Sequence, residues 1–155
     1  MSIGRRFGIF GSRACSASAP EGIVQVYAPS TGLAPAIYQV TLGSSGTPTD
    51  AALLFEMQRS TTATTGASST TPTPLNGQQV ATTILSQQGS TGDGTLTANT
   101  ILGYWPLNQR ATHRWDADPL GPVVGISTTV YGIQIWGVHA SFTGAISANV
   151  AFFEW

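Results

Sequence analysis

The stretch Ala52-Leu53-Leu54-Phe55-Glu56-Met57-Gln58-Arg59 alternates, with Leu53, Phe55 and Met57 on one side and Leu54, Glu56 and Gln58 on the other. A period of two is the signature of a strand, because successive side chains leave opposite faces of a sheet. The pattern recurs outward from there. Within residues 23–28, Ile23, Gln25 and Tyr27 oppose Val24, Val26 and Ala28; within 37–42, Tyr38, Val40 and Leu42 share a face. Residues 100–107 read as a strand ended by Pro106, and residues 123–129, 130–140 and 148–155 are β-branched and aromatic runs. In 130–140, Tyr131, Ile133, Ile135, Gly137 and His139 fall together; in 148–155, Val150, Phe152 and Glu154 oppose Ala151, Phe153 and Trp155. Residues 60–74 read as an exposed polar loop, 75–86 are ambiguous between helix and strand, and 89–94 form a turn cluster. About eight short strands with Ser/Thr/Gly loops and almost no helix predict an all-β fold, an antiparallel β-sandwich or jelly roll. An open sheet with one polar face is the weaker alternative.

The chain has 155 residues, room for one domain with a sizeable core. Only 8% of residues are charged, where about 25% is usual, and all six cations are arginine. Ser and Thr supply 36 residues, yet 41% of the chain is hydrophobic, which argues against disorder. The scarcity of Glu, Lys and Arg argues against a helical bundle. A net charge of −1 gives no basic field to hold nucleic acid. No apolar run approaches the roughly 18 residues of a membrane span, so no membrane partner is expected. A surface so poor in charge offers little repulsion between copies and favours self-association or docking into a larger assembly.

Charge is uneven along the chain. Arg5, Arg6 and Arg13 make the first twenty residues +3 and leave the remainder at −4. Residues 1–22 read as an extended basic arm and 23–155 as the folded domain, so deleting residues 2–20 is expected to leave that domain folded. A secretory reading of the twin arginine fails, since Phe7-Gly8-Ile9-Phe10 is shorter than the about 7–15 apolar residues required and Arg13 follows soon after. Cys15 is the single cysteine, so no intrachain disulfide can form.

The densest polar cluster is His113-Arg114-Trp115-Asp116-Ala117-Asp118, and the only other histidine is His139. A metal site needs several ligands converging with a second layer to orient them, so both histidines read as structural and Arg114 as pairing with its acidic neighbours. Asp118-Pro119 and Gly121-Pro122 then set a turn. No Gly-x-Ser-x-Gly elbow occurs, Cys15 has no base beside it, and seven carboxylates are a small pool for a glycosidase pair. The reading is therefore a protein that is not an enzyme and holds no metal or cofactor. Trp136, Phe152, Phe153 and Trp155 read as core or subunit-interface anchors. Trp115, placed in a loop, is the tryptophan to consider for stacking on a sugar, the alternative being a carbohydrate-binding module of a fibre or spike.

Several segments resemble one family. Phe55-Glu56-Met57-Gln58-Arg59, Thr71-Pro72-Thr73-Pro74-Leu75, His113-Arg114-Trp115-Asp116 and Phe152-Phe153-Glu154-Trp155 are similar to stretches of small head proteins of tailed bacteriophages, over residues 37–155. The resemblance implies a jelly-roll cement or decoration protein on the capsid surface of a virion, made in the host cytoplasm. It further implies a homotrimer that clamps neighbouring copies of the major capsid protein. On this expectation the arm residues Arg5, Arg6, Phe7, Phe10 and Arg13 bind the capsid, the arginines through two-pronged contacts with carboxylates.

Overall fold

The computed structural model describes residues 5–14, 21–28, 34–47, 50–77, 82–90, 95–118, 121–124, 132–138 and 144–154. Cys15, Tyr131, His139, Trp155 and most of the 89–94 and 123–129 runs lie outside these segments. The described residues form twelve strands and no helix: β1 Arg5–Ala14, β2 Glu21–Tyr27, β3 Pro35–Ser45, β4 Ala52–Ser60, β5 Ser68–Thr70, β6 Thr73–Pro74, β7 Leu85–Gln88, β8 Leu96–Asn108, β9 His113–Asp116, β10 Val123–Val124, β11 Gly132–Val138 and β12 Ala145–Glu154. Two antiparallel sheets face each other. The first runs β10-β3-β12-β1-β6, with β9 on the same edge of β3 as β10; the second runs β5-β7-β2-β11-β4-β8. This is the expected β-sandwich, and several short pairings raise the strand number above eight.

Alternation fills the space between the sheets. Ile37, Val40, Leu42, Ile146, Ala148, Val150 and Phe152 from the first sheet meet Ile23, Val26, Leu53, Phe55, Met57, Ile133 and Ile135 from the second. In β3 the expected grouping of Tyr38 with Val40 and Leu42 is corrected. Gln39 lies opposite Ala151 and Ile37 opposite Phe152, so Tyr38 is an extra, bulged residue. The bulge shifts the alternation, which puts Ile37 inside and turns Tyr38 onto the outer face.

The N-terminal arm is a second correction. All ten residues of β1 pair with β12, from Arg5 opposite Glu154 to Ala14 opposite Ala145. Phe7 and Ile9 are buried in the core, and the Phe7 ring stacks on Phe152 at 5.8 Å. Residues 5–14 thus belong to the sandwich, and deleting residues 2–20 would strip a strand from β12 and uncover Phe152. Gly11 permits the close fit. A Cβ there would stand 2.3 Å from Val24 Cγ2 and 2.6 Å from the Ile23 carbonyl oxygen, so at this corner β2 packs on a bare Cα.

Two more local expectations change. β8 continues through Pro106, which pairs with Leu54. Because β8 is the outermost strand of its sheet, the missing N–H interrupts no ladder. The 113–116 cluster is β9 rather than a loop, with His113 opposite Leu42 and Trp115 opposite Val40. Their rings lie 5.9 and 6.1 Å from Trp105 of β8, so one edge strand of each sheet contributes to an aromatic closure of the sandwich.

The 60–74 segment is largely exposed, as expected, but it is anchored to the second sheet. Register aligns Gln87, Gln25, Gln134 and Gln58 in one row across β7, β2, β11 and β4 on the outer face of the second sheet. Gln25 donates to Ser60 Oγ at 2.6 Å and to the Thr62 carbonyl at 2.9 Å, and its Oε1 accepts from the Thr64 N–H at 2.9 Å. Thr64 Oγ1 donates to Gln87 Oε1 at 2.8 Å. Hydroxyls and amides satisfy one another there, which is what allows Gln25, Ser60 and Thr64 to be buried.

Candidate interaction surface

The arm residues singled out in the sequence divide between the two faces of β1. Phe7 points into the core and is 1% exposed, so it is removed from the expected capsid contacts. Arg5 is held by the chain itself. It forms an ion pair with Glu154, whose Oε1 also accepts from Thr82 Oγ1 at 3.1 Å, the Thr83 N–H at 2.9 Å and Thr83 Oγ1 at 2.8 Å. This buried carboxylate joins the first strand, the last strand and the segment leading into β7. Arg13 is half-buried and has an interaction of its own. Arg6 and Phe10 face outward and are exposed.

Arg6 and Phe10 stand on the outer face of the first sheet, where register brings other side chains to them. Arg6 is opposite Phe153, and its guanidinium carbon lies 5.2 Å from the Phe153 ring centre and 5.8 Å from that of Tyr38. The Tyr38 and Phe153 rings are 4.5 Å apart. A cation over aromatic faces is held by the ring quadrupoles while its N–H groups stay available. Leu75, tied by its N–H to the Arg6 carbonyl at 2.9 Å, lies over Gly8. Phe10 is 58% exposed and Leu75 52%. The row between Arg6 and Phe10 on this face runs from Gly8 through Ala151 to Gln39.

The far side of this face is polar. Asp116 accepts from Arg114 Nε at 2.8 Å and from Gln39 Nε2 at 2.7 Å. The Arg114 guanidinium first, and then the Gln39 amide, hold the Asp116 carboxyl below its usual range. The expected local pairing of Arg114 is therefore present, and the Gly121 N–H donates to the Asp118 carbonyl at 2.8 Å in the expected turn. A shallow cavity of about 250 Å³ lies elsewhere, lined by Ser44, Gly46, Gln109, Arg110, Ala111 and Thr112. Two hydrogen bonds cross its wall, Ser44 Oγ to the Gln109 carbonyl and Gln109 Nε2 to the Thr47 carbonyl.

Of the aromatic anchors, Phe152 is core, while Phe153 and Trp136 are half-buried on outer faces of opposite sheets. Trp115 is half-buried in a strand, packed against the core beside Trp105, rather than standing in a loop. Tyr38 and Leu75 were missed as surface residues. The Tyr38 bulge leaves no mark in the sequence, and Leu75 was hidden in an ambiguous stretch. Among the described residues no three His, Cys, Asp or Glu side chains gather as metal ligands would, and no helix is long and apolar enough to cross a membrane. Set against known protein-family models, curated proteins and solved structures, the chain matches none.

Proposed function

We propose that this chain is a structural subunit of a virus particle, a decoration protein that docks on a tailed-phage head. Its copies associate, as trimers, and clamp neighbouring capsid subunits. The observation that carries the reading is the outer face of the first sheet, where Arg6, Phe10, Tyr38, Leu75 and Phe153 form an apolar, aromatic patch around a single cation. Aromatic residues and arginine are the residue types enriched at the centres of protein interfaces. The charge-poor composition and the family resemblance of residues 37–155 support the same conclusion. Docking several copies at once makes each later contact intramolecular, so modest individual interfaces sum to firm attachment.

Light scattering on the purified chain, followed by co-sedimentation with heads of the cognate phage, tests this. The wild type is expected to be oligomeric and to sediment with heads. Phe10→Asp is expected to abolish both while leaving the melting temperature unchanged, since the ring is mostly in solvent. A wild-type chain that is monomeric and has no affinity for heads would refute the proposal.

A further inference from the structure

The opposite side of the sandwich carries a different constellation. On the outer face of the second sheet, Tyr104, Glu56 and Trp136 lie in one cross-strand row over β8, β4 and β11, with Ile101, Gln58 and Gln134 in the row beside it. Glu56 is only 7% exposed, and among the described residues its one hydrogen bond is donated by Gln58 Nε2. The buried indole N–H of Trp136 meets no acceptor among those residues. By contrast Tyr104 is 57% exposed and Ile101 53%. Nearby, on the β2 and β7 side of the same face, Gln25 and Gln87 are engaged by Thr62 and Thr64.

A nearly buried carboxylate with a single amide donor is poorly compensated, as is an indole N–H with no partner. Both weaken the fold where a Thr or Val would be cheaper, and such local losses mark sites kept for another purpose. The amide of Gln58 fixes the orientation of the carboxylate, leaving acceptor capacity on Glu56 for an incoming O–H. Strands are spaced about 4.8 Å apart, which sets the two aromatic positions about 10 Å from each other, with the acceptor between them.

We propose that Tyr104, Glu56 and Trp136 form a binding site for a neutral oligosaccharide. Sugar rings present apolar C–H faces that stack on aromatic rings, and their hydroxyls donate to a carboxylate. The Glu56 charge disfavours acidic sugars, and an open sheet face suits a chain of sugar units rather than one enclosed ring. This site is independent of the docking face, which lies on the other sheet.

Binding of the full-length protein to an array of glucans, mannans and chito-oligosaccharides, beside sialylated and uronate glycans, tests it. Neutral oligosaccharides are expected to bind and acidic ones not. By calorimetry with the strongest binder, Tyr104→Ala and Glu56→Gln should each weaken affinity by about tenfold or more. Glu56→Gln should do so without lowering the melting temperature, which a purely structural carboxylate would not allow. Phe10→Asp should leave sugar binding intact, separating this site from head docking. Absence of any neutral-glycan binding overturns the proposal, as does affinity unchanged in both site variants.

Discussion

Replacing Phe7 by Ala decides whether the N-terminal segment is an appendage or a load on the core. Phe7 is 1% exposed and its ring stacks on Phe152 at 5.8 Å. Truncating a fully buried Phe costs about 3–5 kcal/mol, from lost transfer energy and the cavity left between the sheets. For a domain of this size each kcal/mol lowers the melting temperature by about 2–4 °C, so a fall of about 12 °C is expected. A double-mutant cycle with Phe152→Ala isolates the ring pair, whose coupling should be about 0.5–1.5 kcal/mol. Calorimetry on the four proteins gives both quantities. If Phe7→Ala shifts the melt by less than about 2 °C and the two truncations are additive, β1 is not a core strand in solution and the reasoning fails.

Three further outcomes can be checked. Gly11→Ala should destabilise by about 1–3 kcal/mol because its Cβ meets the Val24 side chain and Ile23 backbone, whereas Gly8→Ala, whose Cβ meets only the flexible Leu75 side chain at 3.2 Å, should be close to neutral. Equal urea midpoints for the two would count against the close approach of β1 and β2. Gln25→Leu removes an amide with three hydrogen bonds, to Ser60, Thr62 and Thr64, and should cost about 2–4 kcal/mol, with faster hydrogen exchange at the Thr64 amide; unchanged exchange would mean that the segment does not lie on the sheet. By NMR titration the Asp116 carboxyl should titrate below the ordinary aspartate range, and its stabilising contribution, present above that range, should fade as pH drops through the lowered midpoint; a midpoint within or above the ordinary range contradicts the Arg114 and Gln39 contacts.

The sandwich was legible where alternation was clean. Leu53, Phe55 and Met57 face the core as their spacing requires, and so do Val150 and Phe152. β1 was harder to read because glycine occupies an inward position at Gly11 while the exposed Phe10 breaks the polar face, so the period of two is masked at both faces. The 60–74 segment was legible as largely exposed, but its ties to the sheet were not. Thr64 is buried by pairing with Gln25 and Gln87, and a polar residue is taken out of solvent when such partners wait across the chain. Trp115 looked available because it was placed in a loop; only the meeting of β8 and β9 shows it, with His113, filling an edge. The outer-face patch was half legible: the sequence marks Arg6, Phe10 and Phe153 as contact residues, but nothing in a linear string assembles them with Tyr38 and Leu75.

Because Arg5 and Glu154 are register partners, the first and last described residues stand side by side at one corner. Bulk attached at Arg5 or Glu154 stands next to Arg6 and Phe153, so it can obstruct docking while leaving the molecule folded. The same adjacency makes the sandwich a good subject for circular permutation: a short linker can join Glu154 directly to Arg5, with the break opened at a distant turn.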